Sequence, residues 1–279
     1  MKKVILAVMI LTILSPLGAA GSRETVAQTP VEIYTFGGSS TVAPIVNGAL
    51  TSFLADHKDV KITYETLGSS TGIKQLQEGT LSLAGSSREL KSSELQAGLK
   101  PIVIALDGLS VAVNRNVPIA NLSMAELAGI FSGEIVNWKS VGGPDAKIEV
   151  IVRDETSGTY ASFKEIVLDP TKKQYKKDAI VARENGELAT KIAATPNAIG
   201  YIGMAFNHIV EEAGGHILTI DQVVPTSDNV VNKSYPISRS LYMVSIGDLQ
   251  PSIELDFINY LLSSRGQAIV AENDFIPLP

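Results

Sequence analysis

Cysteine is absent from the 279-residue sequence, tryptophan occurs once and histidine three times. The first absence excludes disulfides and thiolate metal sites. It also removes the residue to which a lipid would attach behind an export signal, so an unanchored protein is expected. The isolated histidines His57, His208 and His216 give no metal-ligand spacing. No P-loop or dinucleotide fingerprint occurs, and no cofactor is expected. Basic residues are outnumbered, 23 against 29 acidic ones, for a net charge of −6. That argues against a nucleic-acid partner, which calls for a basic face. It does not argue against a small-anion ligand, which local dipoles and one arginine can hold whatever the global charge.

Long apolar runs are also scarce. Lys2 and Lys3, the apolar stretch Val4 to Leu14, and the small-residue segment Pro16 to Ala20 read as a secretory signal over 1–20. That stretch is too short for a bilayer span, which needs ~20 residues. No second run of that length follows. The expectation is a soluble protein exported to the periplasm through a cleavable signal. Residues 21–30 are small and polar and read as a flexible mature N-terminus.

What the sequence has in abundance is one local device, repeated. Val31 to Phe36 alternates as a strand, Gly37 to Thr41 forms a turn, and Val42, Ile45, Val46, Ala49, Leu50 and Phe53 keep helical spacing. Val60 to Leu67 is strand-like, Gly68-Ser69-Ser70-Thr71-Gly72 is the turn, and Ile73 opens a helix. Leu81 to Gly85, Ser86-Ser87-Arg88 and Glu89 to Ala97 make a third copy. Ile148 to Val152, then Arg153-Asp154-Glu155-Thr156-Ser157-Gly158-Thr159, then Tyr160 to Val167 make a fourth. Four strand–turn–helix units predict a parallel α/β architecture with ligands at the carboxyl ends of the strands.

The remaining chain supplies a strand-like run at Leu109–Val113 and a capping box at Ser123 to Glu126 opening a helix through Phe131. A helix over Gly186 to Ala194 stops before Pro196, and Ile199 to Gly203 reads as a strand. Tyr235 to Val244 is a second long strand-like run, and a helix opened by Pro251 ends near Gly266. No linker divides the chain. Two domains interleaved in sequence are expected, joined by crossings near 107–114 and 235–244: lobe I from 31–109 and 235–279, lobe II from 110–234. That arrangement gives a hinged cleft.

Two chemistries suit these turns. In the first, hydroxyls and N–H groups of Ser40, Thr41, Ser69, Ser70, Ser87, Ser157, Gly158 and Thr159 surround one oxyanion with Arg153, whose guanidinium is a fixed fork of donors. The plainer alternative for the fourth turn is an N-cap at Ser157 or Thr156 with Arg153 paired to Glu155. In the second chemistry, Gly68 to Gly72 is a G-x-S-x-G nucleophile elbow with Ser70 as nucleophile and His208 or His216 as base. That reading leaves the other three turns and Arg153 unexplained, so the expectation is a non-enzymatic binder.

Gly37 to Pro44, Gly68 to Gln75, Leu127 to Trp138, Arg153 to Thr159, Ile199 to Gly203 and Phe275 to Leu278 resemble, in the same order along the chain, the phosphate-binding proteins of phosphate ABC transporters. The resemblance runs from about residue 31 to the end. It implies a type II periplasmic-binding-protein fold, two α/β lobes closing on one phosphate, and monomeric delivery to membrane permease subunits. It implies phosphate ligation by Ser40, Thr41, Ser69, Arg153, Ser157, Gly158 and Thr159, with Glu155 orienting the arginine. Ser70, Ser87 and Arg88 join the expected site from the second and third turns. Well-known members carry in the third turn an aspartate that accepts the proton of hydrogen phosphate. Ser87, followed by Arg88, stands there in this chain, and the alternative for Arg88 is an ion pair with Glu89 or Glu94.

Overall fold

A computed structural model describes residues 31–279, which form one compact unit. The expected signal and the stretch 21–30 lie outside the described residues. Ten strands follow one another along the described residues: β1 (Glu32–Gly38), β2 (Val60–Thr66), β3 (Leu83–Ser86), β4 (Leu99–Val113), β5 (Asn121–Leu122), β6 (Glu149–Arg153), β7 (Ile180–Ala182), β8 (Ala198–Gly203), β9 (His216–Ile220) and β10 (Ser238–Ile246). Between and after them run α1 (Ala43–Asp56), α2 (Ser69–Gln77), α3 (Ser92–Gln96), α4 (Met124–Ser132), α5 (Gly158–Phe163), α6 (Asn185–Ala194), α7 (Asn207–Glu212), α8 (Ser227–Val231), α9 (Ile253–Leu262) and α10 (Ser264–Glu272).

The sheet order is β2-β1-β3-β10-β4-β8-β6-β7, with β9 pairing β4 and β5. β1 is parallel to β2 and β3, and β6 is parallel to β7 and β8, as strand–turn–helix units require. The centre departs from the all-parallel expectation. β10 runs antiparallel to β3 and β4, and β4 runs antiparallel to β8. β4 is 15 residues long and starts ten residues before the run that announced it. The ten residues ahead of that run carry Pro101, Asp107 and Gly108, which strands disfavour. The register with β10 overrides that preference.

β4 feeds the two largest apolar cores. Ile104 and Ala105 join Phe36, the α1 stripe of Ile45, Val46, Ala49, Leu50 and Phe53, and Phe257 of α9. Leu109, Val111 and Val113 join Phe131, Trp138, Phe163 and Tyr201. Phe53 meets Phe257 edge-on at 5.2 Å, and Phe163 stacks on Tyr201 at 3.9 Å. Each such ring contributes ~1.5–3 kcal/mol by burial, so both ends of the long sheet are independently anchored.

Local signals act as the sequence implies, with two revisions. Ser123 caps α4 and accepts from the Glu126 N–H, while the Glu126 carboxylate accepts from the Ser123 N–H. The C-terminal helix is two: it breaks at Ser263, whose hydroxyl accepts from the Gly266 N–H and starts α10. Gly266 lies inside α10, where an added Cβ would stand 2.2 Å from the Tyr260 carbonyl oxygen. It serves close helix packing rather than termination.

Candidate anion site

The four turns end at one place. β1, β2 and β3 are parallel neighbours, so the first three turns lie side by side; the fourth comes from β6, beyond the antiparallel β10 and β4. Gly72 allows a close approach of the first two turns, since a Cβ there would stand 2.4 Å from the Gly38 Cα. The Ser70 N–H donates to the Thr156 carbonyl at 3.1 Å, tying the second turn to the fourth.

The hydroxyls then meet one another. Thr41 Oγ1 and Thr159 Oγ1 are 3.2 Å apart. Ser39 Oγ accepts from the Thr41 N–H and donates to Ser87 Oγ at 2.9 Å. Ser69 Oγ accepts from the Ser87 N–H at 3.1 Å and lies 3.4 Å from Ser87 Oγ. Ser157 caps α5, accepting from the Thr159 and Tyr160 N–H groups. Gly158 abuts this cluster: a Cβ would fall 2.2 Å from Ser69 Oγ and 2.4 Å from Ser87 Oγ. Ser39, Thr41, Ser69, Ser87, Ser157 and Thr159 are all buried.

Arg153 closes the cluster and is 2% exposed. Its Nη1 donates to Asn185 Oδ1 at 2.8 Å, and its Nη2 to Ser40 Oγ at 3.0 Å and the Arg183 carbonyl at 2.6 Å. Its Nε is buried without a partner. Among the described residues no carboxylate lies within ion-pair distance of it, and burial pushes the guanidinium below its usual value. Its backbone N–H donates to the Tyr201 hydroxyl, which meets the Tyr175 hydroxyl at 2.9 Å. An aromatic stack of Phe163, Tyr201 and Tyr175 thereby fixes the turn from below.

Three expectations change. Arg88 is not brought to the cluster, because Glu94 takes its Nη1 and Nη2 at 2.9 and 2.7 Å, and the Glu89 carbonyl takes Nη1 as well. Ser70 turns its hydroxyl toward Arg88 Nε at 3.4 Å, not toward the cluster. Glu155 is exposed and does not orient Arg153; the neutral Asn185 and the Arg183 carbonyl do. The hydrolase alternative lacks its base, since His216 Nε2 meets the Ile119 carbonyl at 3.1 Å and His208 is exposed on α7.

The structure adds Asn185, Asp107 and Arg239, which the sequence reading passed over. Asn185 sits at the start of α6, where an N-terminal polar residue is ordinary and draws no notice. Arg239 carried a signal: it is a charge within the strand-like run Tyr235 to Val244, and such charges are buried only when paired. Asp107, ahead of the run at Leu109, carried none. Asp107 Oδ2 accepts from Arg239 Nε at 3.0 Å and Nη2 at 2.7 Å.

Known proteins share this architecture. The model of the PBP superfamily domain matches residues 20–265. The phosphate-binding protein PstS of Borreliella burgdorferi is 38% identical over 250 residues, 88% of this chain and 90% of that protein. A Clostridium perfringens protein solved with bound phosphate, described as a phosphate ABC transporter substrate-binding protein, superposes with a TM-score of 0.81 at 34% identity. The match covers 89% of this chain and all of that one. An ABC-type phosphate transport receptor of Vibrio cholerae gives 0.75 at 30% identity, over 88% of this chain and all of that one. The fold is the type II periplasmic-binding-protein fold, and the chain belongs to the PBP superfamily and, within it, to the PstS family of phosphate-binding proteins.

Proposed function

We propose that this protein is an exported, non-enzymatic receptor that captures inorganic phosphate and delivers it to an ABC-type importer. The observation that carries the reading is Arg153: a guanidinium 2% exposed, with its Nε unpartnered and only neutral partners elsewhere. A buried charge without a counter-ion is costly, so the protein gains when an anion supplies one. The hydroxyl pairs Ser39–Ser87, Thr41–Thr159 and Ser69–Ser87 are joined by neutral bonds. Phosphate oxygens replace those with charge-assisted bonds, each contributing about 1.5–3 kcal/mol. Ser40, Thr41, Ser69, Ser87, Ser157 and Thr159, with Arg153 and the Gly158 backbone, form the proposed ligand shell. Ser70 and Arg88 support it from behind.

The proposed lobes are 31–109 with 235–279, and 110–234. The division is supported by β4, which trades β10 for β8 as its partner between Gly108 and Leu109. Donors come from both sides of that line, so ligand capture favours the closed arrangement. Monomeric phosphate-loaded receptor then docks on the permease subunits. The location is the periplasm, reached through a cleaved signal and without a lipid anchor.

A second oxyanion is favoured by one observation. Ser87 Oγ already accepts from Ser39 and has a proton to give, where a carboxylate would repel an unprotonated dianion such as sulfate. Calorimetric titration of ligand-stripped protein tests both readings. Phosphate is expected to bind one per chain with micromolar or tighter affinity, about −8 kcal/mol or better, and sulfate in excess to compete. Binding of sulfate alone moves the function to that anion, and binding of neither overturns the receptor reading.

A further inference from the structure

Two arginines are buried at the site, and they are held in opposite ways. Arg153 has neutral partners only, whereas Arg239 is paired with Asp107 across the β10–β4 ladder, where the two residues stand in register. Their side chains are 4% and 1% exposed. Asp107 Oδ2 takes Nε and Nη2, which leaves Nη1 facing the hydroxyl cluster. Nη1 donates to Thr159 Oγ1 at 2.9 Å and to the Ser87 carbonyl at 3.1 Å. The Ser87 carbonyl also accepts from Ser162 Oγ of α5 at 2.8 Å.

A guanidinium has donors and no acceptor, so the polarity of these bonds is fixed. Thr159 Oγ1 accepts from Arg239, and its own proton points elsewhere. The same logic fixes Thr41. Arg153 can only donate to Asn185 Oδ1, which turns the Asn185 amide nitrogen to Thr41 Oγ1 at 3.4 Å. Thr41 and Thr159 therefore both accept from fixed nitrogens and hold two protons between them. Their mutual bond uses one; an anion oxygen set between them takes both.

We propose that Arg239, held by Asp107, is a positioning residue of the anion site that makes Thr159 a hydroxyl donor and fixes the Ser87 turn. Resting on the phosphate reading above, this gives the two arginines distinct parts: Arg153 supplies uncompensated charge, and Arg239, its charge balanced, supplies direction. The Asp107–Arg239 pair stands on the two strands that cross between the proposed lobes, so it aims a ligand group of the fourth turn from the crossing itself.

The test compares wild type, Arg239→Met and the double variant Asp107→Asn/Arg239→Met by thermal melting and phosphate calorimetry. Arg239→Met is expected to lower both melting temperature and affinity, because Asp107 is left buried and unpaired. The double variant is expected to recover a melting temperature within a few degrees of wild type while phosphate still binds at least tenfold more weakly. A double variant with wild-type affinity makes the pair merely structural and overturns the inference, leaving the phosphate reading intact. Wild-type protein that binds no phosphate overturns the functional reading and the inference with it. Arg239→Lys gives a second arm, since an ammonium keeps the charge for Asp107 but lacks the fork to hold Thr159 as well. A folded Arg239→Lys protein with tenfold weaker binding supports the inference, and one with wild-type affinity overturns it.

Discussion

Thr41 and Thr159, 118 residues apart in the chain, stand hydroxyl to hydroxyl at 3.2 Å. Thr41 precedes α1, which packs on the core containing Phe36 and Phe257, and Thr159 lies in the first turn of α5, beside Phe163 of the other core. The contact is one of several polar bonds that couple two separately packed halves, beside Arg153–Ser40 and Asn185–Thr41. Thr41→Val and Thr159→Val keep volume and remove the hydroxyl. Each is expected to weaken phosphate binding about tenfold or more, a loss of ~1.5–3 kcal/mol if the bond is charge-assisted. Calorimetry on the two variants checks this, and unchanged affinity in both removes the pair from the site.

Arg153→Ala removes the buried charge that calls for an anion. Affinity for phosphate is expected to fall by ~2–5 kcal/mol, the cost of leaving a charged partner uncompensated. Folding stability should fall little or rise, because burial of that guanidinium is itself unfavourable in the free protein. Near-wild-type binding by this variant would take the arginine out of the account.

Gly158→Ala tests close packing rather than charge. The added methyl would stand 2.2 Å from Ser69 Oγ and 2.4 Å from Ser87 Oγ. It separates the fourth turn from the second and third, so phosphate affinity is expected to drop at least tenfold, about 1.4 kcal/mol. Far-ultraviolet circular dichroism should be unchanged. A variant that binds as wild type would show that these turns need not touch.

Ser87→Asp restores a carboxylate at the third turn. Sulfate, which carries no proton at neutral pH, is expected to compete at least tenfold less well than against wild type, while hydrogen phosphate still binds. Competition titrations at pH 7 read the ratio directly, and an unchanged ratio would show that another group sets the selectivity.

Acid stability gives a prediction away from the ligand. Burial acts to raise the Glu94 carboxyl, but the Arg88 guanidinium and the Lys91 N–H outweigh it and hold it below the usual carboxylate range. With the folded value depressed, the stabilisation is fully present above the unfolded value of about 4.3 and is lost as pH falls through the folded one. Melting temperatures between about pH 2 and 6 should fall more steeply for wild type than for Glu94→Gln. Parallel curves would assign the acid sensitivity to other carboxylates.

Much of the site was legible in the chain because its parts are local. A hydroxyl-rich turn between a strand and an amphipathic helix is written in consecutive residues, and the helical stripe of α1 appears at its expected spacing. What escaped is what depends on long-range register. The first ten residues of β4 hid behind Pro101, Asp107 and Gly108, and with them went the pairing of Asp107 with Arg239. Arg88 was misplaced because adjacency to Ser87 says nothing of side-chain direction; a carboxylate six residues on, at Glu94, decides it. Glu155 failed for the same reason, since the second residue after Arg153 points outward from the turn.

A crystal structure of the ligand-bound protein locates the phosphate. One phosphate is expected, bonded by Arg153 Nε, with Thr41, Thr159, Ser69 and Ser87 hydroxyls turned from each other onto its oxygens. Phosphate bound elsewhere, for example among Lys172, Lys173 and Lys177, with the hydroxyls still bonded to one another, would contradict it.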